Sequence, residues 1–488
     1  MYRRLLLLLI LFLPALRADD LETEVKRFID AYTILETQAA DPVEPQKAFY
    51  EGAIPGLLRR LDPHSVFFDP NQFEQLKKIE TSTQKGFGTV VSILPGRLIV
   101  LQTTPGTPSA KSGISPGDEI LAVNGYAIER LDLDQIVSLL SQSRQQPAQL
   151  YVRRPGTPRV LEFSLIPEEM QAPSVERAFL LKPGVGYVRV SSFDEKTGDQ
   201  IKEAIEKLGG AKLTGFVLDL RNNPGGLLPV ALETASLFLK PAQTILTVKG
   251  RNVAEQTEKV PAKAVPYTFP MAVLINAKSA SASEIVSGAL QDHDRAVVVG
   301  EPSFGKGLVQ SVFPLAESTG IALTTALYYT PSGRSIQKAF KEGDFALSAT
   351  AARPNKESEF KTDSGRIVKG GGGIQPDYEV YPEPLSRLRA VLEASGYFTT
   401  FAIDYVHQHP GLTQDFDVTP PLLEDFQVFL SQRRITPGIS DWSQDRAFIR
   451  NRLKTEIFSQ AFGIAKGDEV EAQRDPQILK ALEVIGAK

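Results

Sequence analysis

The spacing of apolar residues changes along the chain, and the first two patterns predict a helical segment followed by a β-rich module. Residues 21–78 carry apolar side chains at helical intervals, interrupted at 61–65 by the turn-forming sequence Leu-Asp-Pro-His-Ser. Residues 84–167 consist instead of short β-branched runs between glycines and prolines, which is typical of a compact β-rich module. The predicted strands of this module are 89–94, 98–103, 119–123, 149–153 and 160–165, with one helix at 131–140.

A third pattern begins near residue 185, where strands alternate with amphipathic helices. The predicted strands are 186–190, 215–220, 271–276 and 296–299, and the predicted helices are 197–208, 228–239 and 283–291. Because strands that alternate with helices form βαβ crossovers, this pattern predicts an α/β core with parallel strand pairs. From about residue 385 to the end, the pattern is mostly helical.

The amino terminus has the layout of a secretory signal. Arginines at positions 3 and 4 precede an unbroken apolar run at 5–13, and small residues near a cleavage point follow at 15–18. The run is shorter than the ~20 residues that a membrane-spanning helix needs, and no second long apolar run follows it. We therefore expect an exported protein that keeps no membrane span after signal removal. An uncleaved membrane anchor is the alternative.

The composition excludes several kinds of chemistry. The 488 residues contain no cysteine, which excludes thiol catalysis, disulfides and thiolate metal sites. The four histidines leave little material for an imidazole metal site or a histidine base. The formal net charge of −4 provides no overall field for nucleic acid, and the length suggests about three domains. We expect no metal, no cofactor and no nucleic-acid partner.

The first candidate for chemistry is the segment 276–284, Asn-Ala-Lys-Ser-Ala-Ser-Ala-Ser-Glu, where a predicted strand gives way to a predicted helix. A hydroxyl at such a corner lies beside free backbone N–H groups that stabilise a developing oxyanion, and small neighbours let a substrate carbonyl approach. The same residues have a structural explanation, because Ser281 and Glu284 have the spacing of a capping box. Spacing does not choose among the three serines.

The second candidate is the turn Gly-Glu-Pro-Ser-Phe-Gly-Lys-Gly at 300–307, which follows a predicted strand. It nearly matches a phosphate-binding loop, but Gly307 replaces the hydroxyl that holds Mg²⁺, and a strand at 308–313 replaces the required helix. If Lys306 is partly desolvated, its pKa falls and it becomes a general base; a solvated surface lysine is the alternative. Gln310 shares a strand face with Lys306 and could orient its amine.

Two glycine-rich turns complete the candidates. In the segment 218–226, Leu-Asp-Leu-Arg-Asn-Asn-Pro-Gly-Gly, the paired glycines allow close backbone approach and aim N–H groups at a ligand. The Gly-Phe-Gly loop at 86–88 precedes a predicted strand. Such a loop presents backbone amides to a carboxylate, beside a strand edge that accepts an added peptide strand. Taken alone, each is equally well explained as a structural turn.

Together these segments resemble the carboxy-terminal processing peptidases, also called tail-specific proteases. The Gly-Phe-Gly loop and the run Ala-Lys-Ser-Gly-Ile-Ser-Pro-Gly-Asp-Glu-Ile-Leu at 110–121 look like a PDZ domain. Downstream, four motifs follow in the family's order: Leu-Arg-Asn-Asn-Pro-Gly-Gly, Ser-Ala-Ser-Ala-Ser-Glu, Gly-Glu-Pro-Ser-Phe-Gly-Lys-Gly and Gly-Arg-Ile-Val-Lys-Gly-Gly-Gly-Gly-Ile-Gln-Pro-Asp. The likeness covers roughly residues 61–382, and at the two ends only the helical character matches.

The resemblance implies roles for individual residues. It makes the middle serine, Ser281, the nucleophile and Lys306 its base, at the family's spacing, and it makes Gln310 the residue that orients the lysine. The implied oxyanion hole consists of backbone amides of Gly225 or Gly226 and of Ala282. The PDZ loop residues Gly86, Phe87 and Gly88 would bind the C-terminal tail of a protein or peptide substrate, and the PDZ module would gate access to the dyad.

The resemblance also implies a mixed α/β, multidomain fold. The expected parts are a signal peptide at 1–18, a helical N-terminal segment at 19–82, a PDZ domain at 83–170, a ClpP/crotonase-like serine protease core at 171–384 and a helical C-terminal region at 385–488. Because the family's dimers use terminal helices, a homodimer is expected. The expected function is that of an exported, periplasmic or extracytoplasmic serine endopeptidase that engages C-terminal tails. The alternatives are an inactive PDZ scaffold and a phosphate-loop nucleotide-binding protein.

Overall fold

The computed structural model describes residues 18–80, 83–94, 96–171, 173–338 and 359–486. Residues 1–17 of the predicted signal peptide, with its whole apolar run, lie outside the described residues, and Ala18, at its predicted end, is the first described residue. Among the residues that are described, no helix is long and apolar enough to cross a membrane. Export therefore stays a prediction.

The first described segment is helical, as its apolar spacing predicts. It contains α1 (Ala18–Gln38), a π-helical stretch (Lys47–Ala53) that continues into α2 (Ile54–Leu61), the short strand β1 (Val66–Phe68) and α3 (Pro70–Glu80). The predicted turn between α2 and β1 is organised by Asp62, whose buried carboxylate accepts hydrogen bonds from the backbone N–H groups of His64 and Ser65 at 2.7 and 2.9 Å. This turn also contacts the candidate site, because the His64 carbonyl oxygen accepts a hydrogen bond from Gln310.

The β-rich module follows its predicted strand pattern closely. Its elements are β2 (Thr83–Gly86), β3 (Thr89–Leu94), β4 (Arg97–Thr103), α4 (Pro108–Ser112), β5 (Glu119–Val123), β6 (Tyr126–Ala127), α5 (Leu133–Ser143), β7 (Ala148–Arg153), β8 (Leu161–Leu165) and β9 (Glu168–Gln171). Strands β3, β4, β5, β7 and β8 form an antiparallel sheet in that order, with β6 beside β5, while β2 pairs with β9. Inward residues such as Val100, Ile120 and Val152 form its core.

The α/β core contains the predicted parallel strands. Its elements are β10 (Val175–Lys182), β11 (Val185–Val190), α6 (Thr197–Leu208), β12 (Gly215–Asp219), α7 (Leu228–Ser236), β13 (Thr244–Lys249), β14 (Gln256–Lys259), β15 (Met271–Ile275), α8 (Ala282–Asp292), β16 (Val297–Gly300), β17 (Leu308–Pro314), β18 (Gly320–Tyr329), β19 (Glu359–Lys361), β20 (Ile367–Lys369) and β21 (Tyr378–Glu379). Strands β10, β11, β12, β15, β16 and β21 form one sheet, parallel from β11 onward. Strands β12 and β15 are buried throughout, which explains their continuous apolar sequences.

A second sheet of the core is antiparallel, and only its strand β17 is predicted by the apolar pattern. It joins β1, β18, β13 and β14 in that order, with β17 also paired to β18. Val66 of β1 lies opposite Ala322 of β18, so the N-terminal segment contributes a strand to the core. Partners this distant in sequence are selected by tertiary packing, which local apolar spacing does not report.

The C-terminal region is helical, as predicted. Its helices are α9 (Arg387–Ser395), α10 (Tyr397–Gln408), α11 (Pro420–Gln432), α12 (Ile439–Phe462), α13 (Ile464–Ala472) and α14 (Pro476–Val484). Helices α9 to α12 enclose an apolar cluster of their own that includes Phe398, Phe426 and Leu453. Helix α14 departs from this arrangement, because Ile478 and Leu482 pack against the six-stranded sheet of the core.

The six-stranded sheet is therefore covered on both faces. Residues of α6, α7 and α8, among them Ile201, Ala231 and Val286, belong to the large apolar cluster on one face, and α14 belongs to the cluster on the other. The β-rich module, in turn, contacts the C-terminal region, where Arg97 Nη1 donates a hydrogen bond to Thr400 Oγ1 at 2.8 Å. The mixed α/β, multidomain fold class is confirmed.

Candidate active site

The serine-rich segment forms a tight corner between β15 and α8. Helix α8 begins at Ala282, directly after Ser281, whose backbone has φ +53° and ψ −113°. Non-glycine residues rarely adopt a positive φ, and this strain persists only where the surroundings fix the backbone. A strained serine between a strand and a helix presents its hydroxyl at the start of that helix, where the Ala282 N–H has no acceptor among the described residues.

The structure distinguishes the three competing serines. Ser279 is completely buried and donates its hydroxyl to the carbonyl oxygen of Leu220 at 2.8 Å. Ser283 is also completely buried and donates to the carbonyl oxygen of Asn223 at 3.0 Å. Ser281, in contrast, is partly exposed. Of the three, Ser281 is the one that a substrate can reach.

The carboxylate of Glu284 joins this corner to the turn that carries Lys306. Its Oε2 accepts hydrogen bonds from the backbone N–H groups of Ser281 at 2.9 Å and of Lys306 at 2.8 Å. Its Oε1 accepts from the Gly305 N–H at 2.7 Å and from the Ser303 hydroxyl at 2.5 Å. Glu284 is completely buried, so burial raises the pKa of its carboxyl, and these four hydrogen bonds oppose that shift.

This shared oxygen brings the two predicted dyad residues together. Because Glu284 Oε2 contacts both backbone nitrogens, the nitrogens of Ser281 and Lys306 are no farther apart than the sum of the two hydrogen-bond lengths. The buried hydroxyl of Tyr328 also contacts both residues, donating to their carbonyl oxygens at 3.2 Å for Ser281 and 2.8 Å for Lys306. Two buried side chains thus hold the serine corner and the lysine turn side by side.

The Lys306 amine lies in a partly buried pocket with a neutral partner. Its Nζ donates to Gln310 Oε1 at 2.8 Å, and Gln310 Nε2 donates to the carbonyl oxygen of His64 at 2.7 Å. Burial lowers the pKa of Lys306, and the negative charges of Asp62 and Glu284 oppose this shift. The amine is therefore oriented by an amide, in surroundings that favour its uncharged form more than water does.

Among the described residues, the Lys306 amine donates a hydrogen bond to Gln310, and no hydrogen bond joins it to Ser281 Oγ. Bonds between a nucleophile and its base are often long or misaligned before a substrate is bound. Ser281 and Lys306 are thus adjacent through their backbones.

The turn at 62–65 belongs to the site, and sequence reasoning did not identify it as such. It carries the carbonyl oxygen that holds Gln310, and the Ser65 hydroxyl accepts a hydrogen bond from the Thr324 N–H of β18 at 3.2 Å. Burial and the charge of Lys306 lower the pKa of His64, whereas Asp62 raises it. The sequence shows this turn only as an interruption between helices, because its position depends on the pairing of β1 with β18.

The glycine turn at 222–226 lies against the serine corner. The Gly225 N–H is engaged, since it donates to Asn223 Oδ1 at 2.8 Å. The N–H groups of Gly226 and Ala282 have no acceptor in the part of the chain that the structure describes. A Cβ at position 225 would lie 2.9 Å from the Ala282 nitrogen, so only glycine leaves that nitrogen accessible.

Asn223 connects this turn to the corner, a role that sequence reasoning missed. Its carbonyl oxygen accepts hydrogen bonds from the Ala280 N–H and the Ser283 hydroxyl, both at 3.0 Å. Its side chain is completely buried and donates to the carbonyl oxygen of Val190 at 3.0 Å. An asparagine in a polar turn gives no sequence signal for such a role, because its partners come from distant segments.

The turn at 300–307 does not have the features of a phosphate loop. The N–H groups of Gly305 and Lys306, which would have to cradle phosphate, donate to the Glu284 carboxylate. Strand β17 follows the turn where a helix would be required. The structure therefore provides no support for the nucleotide-binding alternative.

The Gly-Phe-Gly loop of the β-rich module has open backbone donors. In the described portion of the chain, neither the Phe87 N–H nor the Gly88 N–H has an acceptor. Gly88 has φ +75°, and a Cβ there would lie 2.2 Å from the Thr107 hydroxyl, so the loop requires glycine. Strand β3, next to the loop, is at an edge of its sheet, and the neighbouring helix α5 exposes Leu133 and Val137. This arrangement suits an extended peptide that ends in a carboxylate.

Comparison with known protein families identifies two regions of the chain. The profile described as Peptidase family S41 matches residues 184–346, and the PDZ domain profile matches residues 76–153. The predicted domain boundaries at 83–170, 171–384 and 385–488 stay predictions.

Several known proteins are similar to this chain over most of its length. A carboxy-terminal-processing protease of Bartonella bacilliformis is 37% identical over 320 residues, covering 64% of this chain and 73% of that protein. A carboxyl-terminal-processing protease of Synechocystis sp. is 35% identical over 292 residues, covering 59% of this chain and 68% of that protein. Among solved structures, a photosystem II D1 C-terminal processing protease has 25% identity and a TM-score of 0.41, covering 74% of this chain and 88% of that chain.

Replacing Glu284 with glutamine should destabilise the protein. The amide has an NH2 group in place of one carboxylate oxygen, and this group cannot accept the hydrogen bonds that the oxygen receives. We expect the free energy of unfolding, measured by urea titration, to fall by about 1–3 kcal/mol, as for a buried hydrogen-bonding group left unsatisfied. The control is Glu203→Gln, which removes an exposed partner of Lys207 and should change stability by less than about 0.5 kcal/mol. Equal stability of the two variants would contradict the role of Glu284.

Proposed function

Because the chain belongs to the carboxy-terminal processing proteases of peptidase family S41, and is therefore a serine-type peptidase, we propose that it is an exported endopeptidase that binds the C-terminal tail of a protein substrate and cleaves near that tail. The observation that most directly supports this function is the single Glu284 oxygen that binds the backbone of both Ser281 and Lys306. It keeps the one accessible serine of the corner beside a partly buried amine.

In the proposed reaction, Ser281 Oγ attacks the carbonyl carbon of the scissile peptide, and the neutral Lys306 amine accepts the hydroxyl proton. The same amine, now an ammonium, delivers that proton to the leaving nitrogen as the C–N bond breaks, which gives an acyl-enzyme and a free amine product. Lys306 then accepts a proton from water as the water attacks the ester. The proton returns to Ser281 Oγ when the acid product leaves.

The surroundings of Lys306 support its role as the base. Burial favours the neutral amine that the first step requires, and Gln310 orients the amine without adding a negative charge that would favour the ammonium. A carboxylate in place of Gln310 would have the opposite effect. A solvated surface lysine would have neither the burial nor the fixed hydrogen bond.

The oxyanion hole is proposed to consist of the Ala282 N–H and the Gly226 N–H. Ala282 is the first residue of α8, where the helix leaves backbone N–H groups without partners and the helix dipole favours negative charge. Gly226 is favoured over Gly225 because the Gly225 N–H already donates to Asn223. Gly225 could take this role only if that hydrogen bond were released.

The PDZ module is proposed to bind the substrate tail. The open N–H groups of Phe87 and Gly88, next to Gly86, would bind the terminal carboxylate, and the edge of β3 would pair with the tail as an added strand. By occupying this groove, a tail would place the preceding part of the substrate near the dyad.

Export is proposed from the amino-terminal sequence alone, which has the charge, the apolar run and the small residues of a signal. The expected homodimer stays a prediction. An inactive PDZ scaffold is the competing function, and it would not require a serine in a strained conformation or an amine in a partly buried pocket.

Replacing either dyad residue should abolish peptide hydrolysis. We expect Ser281→Ala and Lys306→Ala each to lower kcat by about 10³-fold or more, because either change removes an essential proton acceptor or nucleophile. The measurement is cleavage of a fluorogenic peptide with a free C-terminal tail. The control is Lys278→Ala, an exposed lysine near the same corner, which should keep wild-type activity. Undiminished cleavage by Ser281→Ala would exclude the proposed dyad. A wild-type protein that cleaves no peptide would favour the inactive PDZ scaffold.

Activity should rise with pH, and the charge at position 310 should move the profile. Burial holds the pKa of Lys306 below its usual 10.5, so the neutral fraction increases as pH rises through that lowered value. Gln310→Glu places a carboxylate on the amine and should move the rise in kcat/KM to higher pH by about 1–3 units. The uncharged control Gln310→Met should lower kcat without moving the profile upward. A Gln310→Glu profile that coincides with the wild-type profile would contradict the assignment of Lys306.

The tail-binding role predicts a dependence on the substrate carboxylate. Amidating the tail of a peptide substrate should lower kcat/KM by about 10-fold, because the open N–H groups of the loop lose a charged acceptor. Gly88→Ala, which strains the loop and overlaps Thr107, should make free and amidated peptides nearly equivalent. Equal rates for both peptides in the wild type would exclude carboxylate recognition by this loop.

A further inference from the structure

The last helix of the chain reaches the glycine turn of the site through an ion pair. Asp475, the N-cap residue of α14, accepts on Oδ2 a hydrogen bond from Arg221 Nη1 at 2.6 Å. Gln477 Oε1 accepts from the same nitrogen at 2.9 Å. Arg221 lies directly before the turn at 222–226, which carries the proposed oxyanion donor Gly226. The C-terminal helix and the catalytic loop are therefore in contact.

The other side of the Arg221 guanidinium is held by the end of β12. Its Nε and Nη2 donate to the two oxygens of Asp219 at 2.9 and 2.6 Å, and Asp219 is completely buried. The Tyr187 hydroxyl also donates to this carboxylate, at 2.7 Å. Burial alone would lower the pKa of Arg221, but Asp219 and Asp475 outweigh it and raise that pKa. The guanidinium is thus clamped between two carboxylates from distant parts of the chain.

The turn that follows Arg221 needs such support. Asn222 has φ +61°, which non-glycine residues rarely adopt, and Gly225 and Gly226 have φ +102° and +151°, which are open to glycine. Asn222 exchanges two hydrogen bonds of 2.9 Å with Asn276, which fixes the first residue of the turn to the serine corner. Arg221, the residue just before the turn, is fixed by the groups that hold its guanidinium.

We propose that Asp475 is a positioning residue for the peptidase reaction: it holds Arg221, and through it the turn at 222–226, in the conformation that aims the Gly226 N–H at the oxyanion. The catalytic part of this inference rests on the proposed function. The structural part, that Asp475 stabilises the turn, stands independently of it. The C-terminal helix is then a component of the catalytic apparatus, since α14 is anchored to the core sheet by Ile478 and Leu482.

The two oxygens of Asp475 have different partners, so a substitution can remove one interaction and keep the other. Oδ1 caps α14 by accepting the N–H groups of Gln477 and Ile478 at 2.8 and 3.2 Å, while Oδ2 binds Arg221. Serine is also a good N-cap, but its side chain is shorter by one atom and carries no charge. Asp475→Ser therefore keeps the cap and removes the ion pair. Asp475→Asn keeps the shape, but its amide has a single acceptor oxygen, so it can cap α14 or bind Arg221 and not both.

The test measures hydrogen–deuterium exchange and kinetics on the full chain. In Asp475→Ser, we expect faster deuterium uptake in the peptide that covers 221–227, with uptake in α14 unchanged. We expect kcat for a tailed peptide to fall by about 10-fold with KM within two-fold, as for a displaced oxyanion donor. The affinity for a peptide aldehyde, which forms a tetrahedral adduct on the serine, should fall by the same factor. The control is Glu483→Gln, which removes an exposed partner of Lys480 on the same helix.

Each outcome decides one part of the inference. Wild-type uptake at 221–227 in Asp475→Ser would overturn it, whatever the activity. Faster uptake with unchanged kcat and aldehyde affinity would overturn the catalytic part. Faster uptake throughout α14 together with a lower melting temperature would show a merely structural cap and would also overturn it. If the wild type cleaves no peptide, the proposed function fails, and the uptake at 221–227 still decides whether Asp475 holds the turn.

Discussion

The site depends on one buried carboxylate. A charged group without water is stable only when its oxygens are fully hydrogen-bonded, and Glu284 obtains four hydrogen bonds from two segments that are distant in sequence. The backbone N–H groups of Ser281, Gly305 and Lys306 depend on the carboxylate in turn, because they would lose their hydrogen-bond acceptor without it. The same interaction that satisfies the charge therefore sets the separation of the proposed nucleophile and base. Tyr328 reinforces it from the carbonyl side.

Burial and the nearby carboxylates have opposite effects on the pKa of Lys306. The amine has to be dry enough to lose its proton, and burial supplies that effect. The buried carboxylates of Glu284 and Asp62 are needed to hold the backbone, but each of them favours the ammonium form. Their oxygens are largely occupied by backbone donors, and the group in direct contact with the amine is the neutral amide of Gln310. The structural anions and the proposed base thus coexist, with an uncharged residue bonded to the amine.

Four segments of the chain form the candidate site, and none forms it alone. The turn at 62–65 supplies the carbonyl oxygen behind Gln310, the turn at 222–226 supplies the proposed oxyanion donor, and the corner at 276–284 and the turn at 300–307 supply the proposed dyad. The first turn arrives through the pairing of β1 with β18, and the second is supported by α14 from the C-terminal region. Both terminal regions thus contact the site directly, although the recognisable motifs lie between them.

The sequence by itself determined the local elements and the chemistry. Its apolar spacing predicts the strands of the β-rich module and the parallel strands of the core, because each of these segments buries a face that its own residues define. Through their resemblance to the family, its motifs predict Ser281, Lys306 and Gln310 as the site residues, and the lack of cysteine with only four histidines favours a lysine base. Tertiary structure alone decided that Ser279 and Ser283 are buried, that the Gly225 N–H is already engaged, and that Asp62, His64, Tyr328 and Asp475 belong near the site. The physical reason is that hydrogen bonds and ion pairs between distant segments depend on how the sheets and helices pack together, which the spacing of residues within one segment does not contain.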